Sequence, residues 1–109
     1  MRLKGTVASL GPKIKGKARM INSPQDIFEV QEGEIIITRG ADMDLTVLFT
    51  KIAGIVTEEG GIMQHAAILA REFNIPCLVT VPKVADLIKT GQIITLDTQR
   101  GEIKTSPYE

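Results

Sequence analysis

The chain has 109 residues, 43% of them hydrophobic and 24% charged, a composition that suits one soluble globular domain and excludes disordered or collagen-like structure. Its 13 basic and 13 acidic residues cancel, which leaves no global positive field to hold nucleic acid or an anionic membrane. A single cysteine, Cys77, excludes an internal disulfide, and with aromatics at only 4% the core must be built from Ile, Val, Leu and Ala.

No secretory leader pattern opens the chain, and no apolar run approaches the length of a membrane span, so a cytoplasmic protein is expected. "MRLKGTVA" alternates in polarity and reads as a strand, broken by "SLGP". Residues 16–21, "GKARMI", read as a second strand. The cations Arg2, Lys4, Lys13, Lys15, Lys17 and Arg19 that interleave these segments read as a solvated face. "NSPQDIFEVQEGE" carries a Ser23 cap, Pro24 at the first helical position and Gly33 at the stop, which predicts a short helix. "EIIIT", 34–38, is a β-branched apolar run that suits a strand buried on both faces.

"GADMDLTVLFTKIAG" has a cap at Asp44 and helix-like spacing of Leu45, Leu48, Phe49 and Ile52, with Gly54 at its end. "GIVTEE" is another buried strand that runs into Gly60 and Gly61. Ala66, Leu69, Ala70 and Phe73 then recur at i, i+3, i+4 and i+7, which predicts a helix ended by Asn74 and Pro76. "CLVTV", 77–81, reads as a buried strand; 84–90 as a short helix stopped by Gly91; and "QIITLDTQRGEIKT" as a hairpin. This order predicts a mixed α/β single domain over 1–109. The loop at the carboxyl end of a strand, ahead of a helix, is where open α/β sheets bind ligands.

That loop leads to His65, the only histidine in the chain. Gly60 and Gly61 permit a tight loop of amides, and the first turn of the following helix adds unpaired N–H groups with partial positive charge. Together they suit a phosphate. A neutral imidazole nitrogen is a nucleophile near pH 7, since histidine titrates at about 6.5 when unperturbed, and its phosphoryl adduct is reactive enough to pass the group on. The competing reading is a plain hydrogen-bonding histidine at a helix start. No second histidine or exposed cysteine offers zinc-like spacing, so no metal is expected. Arg71 lies about 120° around the helix from His65 and about 9 Å further along it, so spacing alone does not pair them and a solvated or structural arginine is the residue-level expectation.

"TEEGGIMQHAAILAREFNIPCLV" resembles the phosphohistidine, or swivelling, domain of phosphoenolpyruvate-utilising enzymes. That group includes phosphoenolpyruvate synthase, pyruvate phosphate dikinase and enzyme I of the sugar phosphotransferase system. The pattern is met by Thr57, Gly60, Gly61, His65, Ala70 and Arg71. "ASLGPKIKGKARMINSPQDIFEVQEGEIIIT" and "GQIITLDTQRGEI" extend the similarity over nearly the whole chain, nearest to the phosphoenolpyruvate synthase type.

The resemblance implies a β/β/α swivelling fold, His65 as the phosphorylated residue, and Thr57, Gly60, Gly61 and Arg71 as phosphate-binding residues. It implies a phosphotransferase component, inactive alone, with no cofactor of its own. ATP or phosphoenolpyruvate would be the phosphoryl donor on protein partners that carry nucleotide-binding and phosphoenolpyruvate- or pyruvate-binding domains. Met1 at the start leads us to expect a stand-alone protein. Two departures stand out. Met63 and Gln64 replace the small hydroxyl or thiol residues usual before the histidine, and Thr80-Val81 continue a strand that usually ends in glycine. Met63 and Gln64, together with the lack of a nucleotide-binding domain or a phosphoenolpyruvate-binding barrel in this sequence, motivate an alternative, a non-catalytic binding or regulatory module that keeps the fold without phosphotransfer.

Overall fold

The computed structural model describes residues 1–40 and 44–105. Eight strands form one sheet in the order β1-β8-β7-β3-β4-β5-β6-β2. In chain order they are β1 (Arg2–Lys4), β2 (Thr6–Ser9), β3 (Ile14–Ile21), β4 (Ile35–Thr38), β5 (Gly54–Thr57), β6 (Cys77–Val79), β7 (Ile93–Asp97) and β8 (Glu102–Thr105). Strands β3, β4, β5 and β6 are parallel neighbours, and the remaining pairs are antiparallel.

The opening segment is where the sheet closes. It was expected as one strand and is two, hinged at Gly5. β1 pairs with β8 at one edge and β2 with β6 at the other, so the sheet curls back on itself. At the hinge the Gly5 amide donates to the Gly101 carbonyl at 3.1 Å.

Strands β4, β5 and β6 are buried on both faces, as their apolar runs predict. Alternation sorts the side chains. Ala18, Ile35, Ile37, Val56 and Leu78 point into an inner core completed by Ile94, Leu96 and Ile103. Ile21, Ile36, Ile55, Cys77 and Val79 point outward and are covered by Ala66, Ala67, Leu69 and Ala70 of helix α1 (His65–Glu72), with Leu48, Phe49 and Ile52 beside them. The three alanines let α1 lie close to the sheet, and Leu69 supplies roughly 2 kcal/mol of burial. Asn74 ends α1 in a left-handed conformation, φ 57°, as predicted.

Other elements are shorter than expected. The segment after Ser23 is a 3-10 helix, Pro24–Glu29, started by the Asp26 carboxylate, which accepts the Asn22 and Ser23 amides at 2.7 and 3.0 Å. The segment after Asp44 makes only a 3-10 turn, Thr46–Leu48. Its apolar residues pack at helical spacing, but β-branched Thr46 and Val47 and a span of one or two turns favour the tighter form. Ala41, Asp42 and Met43 of that predicted element lie outside the described residues. The second α-helix, α2, covers Val84–Leu87 rather than 84–90. Among the described residues no helix is long and apolar enough to cross a membrane.

An ion pair joins β3 to the residue just before β4. Arg19 Nε and Nη2 donate to Glu34 Oε1 and Oε2, each at 2.9 Å, and the Gln31 amide adds a third bond at 2.7 Å. Burial alone would raise the Glu34 pKa; the Arg19 and Gln31 hydrogen bonds outweigh it and hold the carboxyl below the usual range. A depressed carboxyl pKa contributes stability above the unfolded value, 4.5, and loses it as pH falls through the folded value. Glu34→Gln is therefore expected to cost about 2 kcal/mol at pH 7. In urea titrations the gap from wild type should narrow as pH drops below 4.5. A gap that is independent of pH would show that the charge contributes nothing.

Candidate functional site

The parallel strands β4 and β5 end side by side, Thr38 opposite Thr57. Pairing runs two residues further, with the Glu58 and Glu59 amides donating to the Thr38 and Arg39 carbonyls at 2.9 and 2.7 Å. The chain then leaves the sheet, turns through the glycine pair and enters α1 at His65. The site is thus a loop at the carboxyl end of the parallel strands, where the sequence placed it.

Glu58 fixes the base of this loop. Its carboxylate accepts from Arg39 Nη1 at 3.0 Å and from the Ala85 amide at 3.0 Å. Arg39 Nη2 reaches Asp86 at 2.7 Å. The motif's first acid is therefore turned toward α2. Thr57 is fully buried, and its hydroxyl donates to the Glu59 carbonyl at 2.8 Å. It shapes the loop from below.

The two glycines differ. Gly60 has φ +90°, a conformation that side-chain-bearing residues rarely adopt, and an added Cβ would lie 2.2 Å from Gln64 Oε1. Gly61 has no heavy atom within 4 Å of the Cβ position, so its bare Cα keeps that side of the loop open. Gln64 packs over Gly60, with a buried Oε1 that has no hydrogen-bond partner. Gln64 precedes α1, and its carbonyl accepts the Ile68 amide at 3.0 Å. The amides of His65, Ala66 and Ala67 thus lie before the helical ladder begins.

His65 is the first residue of α1, with its side chain 59% exposed and Nε2 3.9 Å from Asp44 Oδ1. Asp44 is held in turn by the Thr46 amide, at 2.9 Å, and by the Thr46 hydroxyl. Those two bonds, the hydroxyl's first, keep the Asp44 carboxyl below its ordinary pKa. Asp44, expected as the cap, stands one residue before the actual cap, Leu45, and its carboxylate lies beside the histidine, a neighbour 21 positions away that spacing could not reveal.

Arg71 closes the loop from the far side. Its Nη1 donates to the Ala8 carbonyl at 2.9 Å and its Nη2 to the Ile62 carbonyl at 2.7 Å. It ties the segment just before the histidine to β2.

Met63 is exposed, as is its neighbour Ile62. Strand β6 ends at Val79 rather than running to 81. Thr80 leaves it with φ +55°, and its hydroxyl donates to the Gly60 carbonyl at 2.6 Å. The sequence marked Thr80 only as continuing the strand where glycine is usual; its role depends on a backbone conformation that its side chain disfavours. Cys77 is buried under α1, and burial pushes its thiol up to about 12, so it is no nucleophile at neutral pH. Among the described residues no three His, Cys, Asp or Glu side chains are grouped to hold a metal ion.

Residues 30–101 match the family described as PEP-utilising enzyme, mobile domain. The chain is 42% identical over 91 residues to a rifampicin phosphotransferase of Bacillus subtilis, covering 84% of this chain and 10% of that protein. It is 39% identical over 99 residues to a phosphoenolpyruvate synthase of Pyrococcus furiosus, covering 91% and 12%. The chain thus spans about a tenth of the length of these curated relatives. Among solved structures, an Enzyme I solution structure superposes with a TM-score of 0.64 at 26% identity, over 80% of this chain and 34% of that one.

Proposed function

Because the chain belongs to the mobile-domain family of PEP-utilising enzymes, we propose that it is a phosphohistidine relay domain that accepts a phosphoryl group on His65 and delivers it elsewhere. The observation that supports this reading most is the position of His65. It is exposed at the first turn of α1, behind a glycine loop at the carboxyl end of the parallel strands. A ring nitrogen lone pair attacks the donor's phosphorus. The N–P bond forms as the bond from phosphorus to the leaving oxygen breaks, and that oxygen keeps the electron pair.

The phosphate-binding residues divide into two kinds. Gly60 and Gly61, with the amides that open α1, offer backbone donors and leave room for the group. Arg71 supplies positive charge and, through the Ile62 carbonyl, fixes the loop. Thr57 acts on the phosphate through the backbone it holds. Gln64 and Met63 replace hydroxyls without blocking the approach, since Gln64 folds back over Gly60.

The donor is ATP or phosphoenolpyruvate held by a partner domain or subunit, and this domain needs no cofactor of its own. Incubation with purified nucleotide-binding or phosphoenolpyruvate-binding partner domains and the matching donor should add one acid-labile phosphoryl group, read by intact mass. No incorporation from either donor would leave the alternative, a binding or regulatory module without transfer.

A further inference from the structure

We propose that Thr80 is a positioning residue, a strained latch that sets the glycine loop in front of His65. The proposal rests on the reading of His65 as phosphoryl acceptor. Thr80 is exposed and β-branched, yet sits at φ +55°. Such a residue in the left-handed region is an outlier that persists only where its surroundings hold it. Nothing apolar is gained there, because the side chain faces solvent. Two bonds hold the chain there: the Thr80 hydroxyl donates to the Gly60 carbonyl at 2.6 Å, and the next amide, that of buried Val81, donates to the Thr57 carbonyl at 3.1 Å.

That carbonyl is a lever. The peptide unit is planar and trans, so the Gly61 N–H points opposite to the Gly60 C=O. Pinning the carbonyl toward the end of β6 aims the Gly61 amide to the other side of the loop. Gly60 is gripped from two directions, its carbonyl by Thr80 and its bare Cα by the Gln64 side chain. Release of the first grip frees a glycine that has no conformational preference of its own. Thr80 acts through the loop and touches no reacting atom.

Two variants separate positioning from simple support of the fold. Thr80→Gly removes the hydroxyl and the strain together; Thr80→Val removes the hydroxyl and keeps the β-branched strain. Thr80→Val should melt lower than wild type and Thr80→Gly should not, while both take label at His65 about tenfold more slowly with saturating donor. In the unphosphorylated chain both should show about tenfold faster exchange of the Gln64 amide, which donates to the Gly61 carbonyl at 3.0 Å across the loop. Thr80→Ser should restore labelling and exchange. Labelling rates that follow melting temperature, or wild-type labelling or exchange in Thr80→Gly, would overturn the latch. Wild type that takes no label from any donor would instead sink the relay reading, and amide exchange would still decide what Thr80 does to the loop.

Discussion

His65→Ala is expected to fold like wild type and to take no acid-labile phosphate from any donor. The side chain is more than half exposed, and its nearest ionic neighbour, Asp44, lies 3.9 Å away. Alanine is well tolerated at the first position of a helix. The change in stability should stay within about 0.5 kcal/mol, typical of surface substitutions that touch no cap or buried network. The chemistry has no substitute, because the chain holds no other histidine and its one thiol is buried and protonated. Intact mass before and after acid treatment reads the result. Label that persists in His65→Ala would move the acceptor elsewhere. A variant that fails to melt cooperatively would assign His65 to the fold.

Gly5→Val is expected to be the most damaging substitution for stability. A Cβ at Gly5 would lie 2.4 Å from Val81 Cγ2 and 2.7 Å from the Val79 carbonyl oxygen. The Val81 side chain can turn, but the carbonyl belongs to the β6 backbone. Overpacking a closed interior costs about 1–3 kcal/mol, and here the displaced backbone joins the two edges of the sheet, so about 3 kcal/mol is expected. Gly5→Ala should cost less. Gly33→Ala is a useful contrast: its Cβ meets nothing within 4 Å, and its φ of +83° makes the penalty conformational rather than steric. Urea midpoints of the three variants would rank them. A Gly5→Val midpoint equal to wild type would mean that the sheet closes elsewhere.

Gly5 also shows where sequence reading stops. Alternation over the first eight residues correctly gave extended chain. One polarity pattern, however, cannot say that its halves pair with strands 70 and 100 residues away. The buried strands and α1 were legible because each carries a strong local period and a clear stop. The 3-10 turn after Asp44 was read as a longer helix because its apolar spacing suits either form, and packing decided the length.

The site divides in the same way. His65 and the glycine pair could be read from the chain, since loop, helix start and nucleophile are contiguous. The roles of Thr57, Arg71 and Thr80 could not, because each acts through a backbone carbonyl that the fold brings to it. Thr57 reaches Glu59, Arg71 reaches Ala8 and Ile62, and Thr80 reaches Gly60. Arg71 is the clearest example. The helical wheel placed it away from His65, while the resemblance marked it for the phosphate. In the structure its guanidinium holds the Ala8 and Ile62 carbonyls and so governs the loop in front of the histidine.

A pulse–chase of the phosphoryl group tests the relay most directly. The chain would be phosphorylated by one partner domain with its donor, freed of both, and mixed with the second partner and its acceptor. The relay predicts that phosphorus NMR shows a phosphoimidazole signal after the pulse, and that the signal disappears during the chase as phosphorylated acceptor appears in equal amount. A phosphohistidine that forms but remains on the chain through the chase, or that never forms from either donor, would contradict it.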